Sequence, residues 1–212
     1  MQRENAGHKS AVRTSKSGKL PIQSKGRGDN AEYRTREYLT PDEVEAIAKS
    51  AKGAGRYGHR DAVAILLAYR HGLRASELCG LRREQVDLDK AELRVRRLKN
   101  GKPSTQPIRG DDLRALRKLL KDTDGAFVFT TERGTPLDRS GFLKIVRRAG
   151  ELAGLPFPAH PHMLRHATGY YLANRGTDTR TIQDYLGHQN IQHTVTYTAL
   201  APGRFKGLWD GA

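Results

Sequence analysis

The first strong pattern along the chain is Thr40-Pro41-Asp42-Glu43, a polar start followed by apolar residues at helical spacing. Thr40 suits the N-cap, Pro41 fits the first helical position, and Glu43 closes a capping box. Val44, Ile47, Ala48 and Ala51 then mark one helical face. Residues 61–69 are apolar all round, which predicts a central buried helix ending near Gly72. A short helix is expected through Ala75–Leu81.

The period then changes. Glu92-Leu93-Arg94-Val95-Arg96 alternates as a strand does. Asn100-Gly101 is a strong hairpin turn signal, with Ser104–Ile108 as the return strand. Residues 111–121 carry Leu113, Leu116, Leu119 and Leu120 on one helical face, and Ala126–Phe129 reads as a short strand. Further helices are predicted at 138–153, 161–174 and 178–186. Asp178 caps the last of these and Gly187 ends it. No internal repeat is visible. The sum is a mainly α chain with a small antiparallel β-sheet, an α+β fold.

Composition changes the picture at the ends. Residues 1–36 hold nine Lys/Arg against three Asp/Glu and few large apolar side chains. Such a stretch buries too little surface to offset its ordering entropy, so it reads as a disordered basic arm. The remainder divides into a folded domain over 37–200 and a short C-terminal tail over 201–212. The whole chain of 212 residues carries a net charge of +15, a field that attracts polyanions, nucleic acid above all. The single cysteine, Cys79, excludes an internal disulfide and sits in an apolar run, as a small core residue does. No window approaches 18 consecutive apolar residues, and the start lacks the apolar stretch of a secretory signal. The expectation is a cytoplasmic, nucleoid-associated protein without a membrane partner.

Four local patterns carry candidate chemistry. His71-Gly72-Leu73-Arg74-Ala75-Ser76-Glu77-Leu78 puts an arginine between two helices. Leu98-Lys99-Asn100-Gly101-Lys102 puts a lysine on a hairpin tip. His160-Pro161-His162-Met163-Leu164-Arg165-His166 opens a helix. Leu186-Gly187-His188 is followed nine residues later by Tyr197. His162 and His166, four apart, invite a zinc reading, but Met163 stands where a metalloprotease of that pattern needs Glu.

These patterns resemble, in content, order and spacing, the tyrosine recombinase (phage integrase) family. Within it the chain is most similar to the small fimbrial phase-variation recombinases. The likeness spans residues 37 to about 209 and includes Ile182–His188 and the ending Arg204-Phe205-Lys206-Gly207-Leu208-Trp209. The resemblance implies the family's catalytic-domain fold and its roles, residue by residue. Arg74 and Arg165 match the two arginines that hold the scissile phosphate. Lys99 matches the hairpin general acid, His162 the first histidine of the HxxR box, His188 the histidine after Leu-Gly, and Tyr197 the nucleophile. Glu77 is expected beside one of the basic groups as a supporting partner.

The chemistry of this set is coherent. Attack on a phosphodiester builds negative charge on non-bridging oxygens, and two guanidiniums bind those oxygens in a forked geometry. Neither a metal nor another cofactor is then required to stabilise that charge. A phenol ionises near pH 10, so Tyr197 needs a proton acceptor or a cationic pocket, expected from His162 and the arginines. The resemblance implies double-stranded DNA as partner and a homotetramer on DNA, and leaves open whether an accessory DNA-bending protein takes part. The implied reaction is site-specific inversion, or integration and excision, through a 3′-phosphotyrosine. A type IB-like topoisomerase and a noncatalytic DNA-binding regulator are the rival readings. Phe205, Leu208 and Trp209 form one helical stripe, expected to contact a neighbouring protomer.

Overall fold

A computed structural model describes residues 37–97 and 102–199. The basic arm, Lys99 with its turn, and the C-terminal tail with its Phe205–Trp209 stripe lie outside the described residues.

Helix α1 (Pro41–Gly53) begins as its sequence dictates. Thr40 Oγ1 accepts from the Glu43 N–H at 3.3 Å, and Glu43 Oε2 accepts from the Thr40 N–H at 2.8 Å. Its face of Val44, Ile47, Ala48 and Ala51 is buried against α2 (Gly58–Arg70). Helix α2 starts before its apolar run, at Gly58, where a Cβ would lie 2.2 Å from the Lys52 carbonyl oxygen. It is the central helix, buried from Ala62 to Ala68 except for the half-buried Leu66. It packs on α1, on α4 (Gly110–Lys121) and on α6 (Pro161–Asn174). The short α3 (Ala75–Cys79) follows, with Cys79 buried as expected.

A 3-10 turn over Arg83–Gln85 leads into a three-stranded antiparallel sheet of order β1-β2-β3. Its strands are β1 (Val86–Asp87), β2 (Glu92–Val95) and β3 (Ser104–Pro107), with Leu93 opposite both Val86 and Gln106. Strand β1 has no signature in the hydrophobic pattern, because two residues are too few to show alternation. The strand expected at Ala126–Phe129 does not form. Phe127 makes one isolated bridge to Arg82. Two backbone bonds close that bridge, from the Val128 N–H to Leu81 O and from the Arg83 N–H to Ala126 O, and no ladder extends from it among the described residues. The apolar run reflects burial instead: Val128 and Phe129 are fully enclosed.

Helix α5 (Arg139–Leu152) is capped by Asp138, and α7 (Thr179–Leu186) by Asp178, whose carboxylate accepts from the Arg180 and Thr181 N–H groups. Gly187 ends α7 at φ +67°, a left-handed conformation that glycine adopts without strain. The last described helix, α8 (Gln192–Ala199), was not foreseen, since its Thr-Val-Thr-Tyr-Thr run has poor helix propensity. Packing on α6 and α7 sets it. The main core runs from Leu39 to Ala167. A small second cluster of Ala173, Ile182, Leu186 and Tyr197 joins α7 and α8 to α6. Among the described residues no helix is long and apolar enough to cross a membrane.

Candidate active site

The α2–α3 junction supplies the first wall. Gly72 turns the chain at φ +56°, and a Cβ there would lie 2.4 Å from Leu186 Cδ2, so both conformation and space require glycine. Two residues on, Arg74 sits at the N-cap of α3 with a side chain 28% exposed. Glu77, 2% exposed at its side chain, holds it twice: one carboxylate oxygen accepts from Arg74 Nη1 at 2.8 Å, the other from the Arg74 N–H at 3.0 Å. Burial works against the Glu77 charge, but the Arg74 N–H and the Arg97 and Arg165 cations outweigh it. Its carboxyl stays below the usual range.

Arg97, just after β2, is the buried brace of this wall. Its side chain has no exposed surface. It donates to Glu77 Oε2 at 2.9 Å, to the carbonyls of Gly72 at 3.2 Å and His71 at 3.1 Å, and to Tyr185 O. The sheet, the α2–α3 junction and the end of α7 are thereby fixed together. Gly187 lies against the Arg97 stem, where a Cβ would come within 2.6 Å.

Helix α6 supplies the second wall. Arg165 is 1% exposed and donates to Gly72 O and, at 2.8 Å, to Leu186 O. Burial and the nearby Arg74 and Arg97 charges push its pKa down to about 9, so it remains a cation at neutral pH. His162 and His166, one turn apart, touch edge to face at 4.3 Å between centroids. Desolvation and neighbouring positive charge lower both pKa values, that of the half-buried His166 to about 4 and, less strongly because its side chain is exposed, that of His162, so both are neutral at pH 7.

His188, after α7, is half-buried, and its Nδ1 lies 2.9 Å from the hydroxyl of the enclosed Thr194. That bond leaves Nε2 as the ring atom available to a ligand. Burial, then Arg165 and Arg74, push its pKa down to about 3. Tyr197, on α8, is 3% exposed. Its ring lies on the backbone of Gly169, with Tyr170 edge-on at 5.0 Å and His188 stacked at 6.3 Å. The hydroxyl lies 2.9 Å from His166 Nδ1. Burial pushes the phenol up to about 12, while Arg165 and Arg74 pull the other way.

The structure therefore gathers Arg74, His162, Arg165, His188 and Tyr197 from four separate stretches of chain. Lys99 lies outside the described residues. The partner expected of Glu77 is Arg74. Two members escaped the sequence analysis. Arg97 gave no signal, being one of several arginines around β2. His166 was weighed only as half of a zinc pair, although its spacing from His162 already placed both on one helix face. Such a pocket, with two guanidiniums, neutral imidazoles and one phenol, suits an anion and a nucleophilic attack upon it.

Residues 37–204 match the Phage integrase family. Over 184 residues the chain is 47% identical to the type 1 fimbriae regulatory protein FimE of Escherichia coli strain K12, a match covering 82% of this chain and 91% of FimE. Among solved structures, XerA recombinase superposes with a TM-score of 0.69 at 28% identity, over 82% of this chain and 64% of that one. The Tn1549 transposon integrase in complex with transposon right end DNA shares the fold, with a TM-score of 0.67 at 24% identity, over 77% of this chain and 62% of that one. A family match over the whole folded domain, a close relative along nearly its full length, and the same architecture in solved recombinases agree: this chain belongs to the phage integrase family, the tyrosine-type site-specific recombinases.

Proposed function

We propose that the protein cuts and rejoins double-stranded DNA at specific sites through a 3′-phosphotyrosine bond to Tyr197. The observation that carries this reading is the buried Tyr197, whose hydroxyl lies 2.9 Å from His166 Nδ1 on the same helix that carries Arg165. Arg74 and Arg165 bind the non-bridging oxygens of the scissile phosphate. Arg74 is the more accessible and makes first contact, with Glu77 fixing its direction. His188 and His162 complete the phosphate pocket as neutral donors. Lys99 protonates the leaving 5′-oxygen. The phosphotyrosine conserves the energy of the phosphodiester, so rejoining to a different 5′-hydroxyl needs no added energy source.

A homotetramer synapsing two sites, aided by an accessory DNA-bending protein, is the assembly proposed for exchange. Inversion of a DNA segment is the favoured outcome, on the resemblance to the fimbrial enzymes. The +15 charge and the solved integrase bound to transposon DNA support duplex DNA as the partner.

The decisive assay uses nicked suicide duplexes from inverted repeats near the protein's own gene, without metal, resolved on a denaturing gel. Wild type is expected to give a protein–DNA adduct and Tyr197→Phe none. Tight binding without an adduct would favour a noncatalytic DNA-binding regulator. An adduct that only reseals its own strand, with relaxation of supercoils at any sequence, would favour a topoisomerase.

A further inference from the structure

We propose that His166 accepts the Tyr197 proton during strand cleavage, a role that rests on the recombinase reading above. The group poised at the reacting oxygen is His166 Nδ1, at 2.9 Å. The other candidates are placed differently. His188 has its Nδ1 at the Thr194 hydroxyl and meets the tyrosine ring face to face. His162 meets the edge or face of His166 rather than the phenol.

Helix α6 is shaped for this pairing. Gly169 lies three residues after His166. A Cβ at Gly169 would lie 2.5, 2.6 and 2.7 Å from Cε2, Cδ2 and Cζ of Tyr197. The bare backbone is a slot that takes the ring and aims its hydroxyl one turn back along the same helix. Tyr170 closes the slot edge-on. His166 is only partly buried, so its ring accepts a proton without complete loss of solvation.

The neutral imidazole needed for this step is present at pH 7, because burial and the Arg165 and His160 charges disfavour its cation. In the resting site the proton stays on the phenol, far the weaker acid. Transfer is coupled to bond formation. As Tyr197 Oη bonds to phosphorus, its proton passes to His166 Nδ1. The phosphorus–5′-oxygen bond breaks, and the leaving oxygen takes a proton from the separate acid, Lys99. In rejoining, a 5′-hydroxyl attacks, the tyrosine oxygen leaves, and the imidazolium returns the proton to it.

The test compares wild type, His166→Ala and His166→Asn on the nicked duplexes, with gel-shift binding and thermal melts alongside. We expect both variants to fold and bind as wild type does and to form the adduct about a hundredfold or more slowly. Added imidazole should restore part of the rate in His166→Ala. A duplex with sulfur replacing the scissile 5′-oxygen, a leaving group that needs no acid, should rescue Lys99→Ala but neither His166 variant. Wild-type rates in both folded variants would overturn the assignment. So would rescue by the sulfur substrate, which would make His166 the acid, or failure of imidazole to act, which would leave only a positioning role. If His166→Ala does not fold, the same readings are taken from His166→Asn and from His166→Gln. Absence of any wild-type adduct would instead sink the recombinase reading itself.

Discussion

Glu77 shows how much one buried charge does at the residue scale. Its carboxylate bonds Arg74 at the pocket rim and Arg97 inside it, and Arg97 in turn gathers carbonyls from the α2–α3 junction and from α7. Converting Glu77→Gln keeps the shape but leaves Arg97, fully enclosed, without its counter-charge. Removing one partner of a buried ion pair typically costs several kcal/mol, so we expect a loss of about 3 kcal/mol in urea unfolding. Adduct formation should fall with it, because Arg74 loses its guide. An unchanged unfolding midpoint would mean that solvent or another group neutralises Arg97.

At the scale of elements, α6 and α8 divide the chemistry between them. One helix carries His162, Arg165, His166 and the Gly169 slot; the other delivers Tyr197 into it. The arginines are rooted in or beside the main core, whereas Tyr197 belongs to the smaller cluster that docks α7 and α8. Gly169→Ala separates packing from propensity. In an ordinary helix interior this change stabilises by about 1 kcal/mol. Here the added methyl lands on the tyrosine ring and must displace it. We expect the variant to fold and bind DNA, yet to form the adduct about a hundredfold more slowly, as misplacement of a reacting group by an ångström can cause. Full activity would show that the ring leaves the slot before it reacts.

The whole molecule joins a strong positive field to a site whose histidines are held neutral. His71 is buried with Nδ1 at Gln106, and its pKa is pushed down to about 4; those of the half-buried His166 and His188 are pushed down to about 4 and 3. An unfolded chain takes up these protons near the ordinary histidine value of 6.5, the folded chain only well below it. Between about pH 6.5 and 4 the unfolded state therefore binds more protons, and stability falls as pH is lowered through that window. Self-repulsion in a chain already at +15 acts in the same direction. Thermal melts across this range should show the decline, with His71, the most buried of these side chains, contributing most. A melting temperature flat from pH 7 to 4 would contradict it.

The sequence by itself determined the elements whose signals are local. Thr40 and Glu43 cap α1, Asp178 caps α7, Gly187 ends it, and the all-round apolar run makes α2 the central helix. Through the resemblance its motifs carry, it also pointed to Arg74, His162, Arg165, His188 and Tyr197, which the fold brings together, while Lys99 lies outside the described residues. What depended on distant contacts was not legible. Helix α8 exists against its own propensity because α6 and α7 bury its tyrosine, and Ala126–Phe129 fails as a strand because no neighbour extends a ladder. Arg97 as the brace and His166 as the partner of the phenol emerge only when stretches far apart in sequence are brought within hydrogen-bond reach. Caps and periodicities are written between neighbours in the chain, whereas a buried charge or a proton acceptor is defined by whatever folding brings beside it.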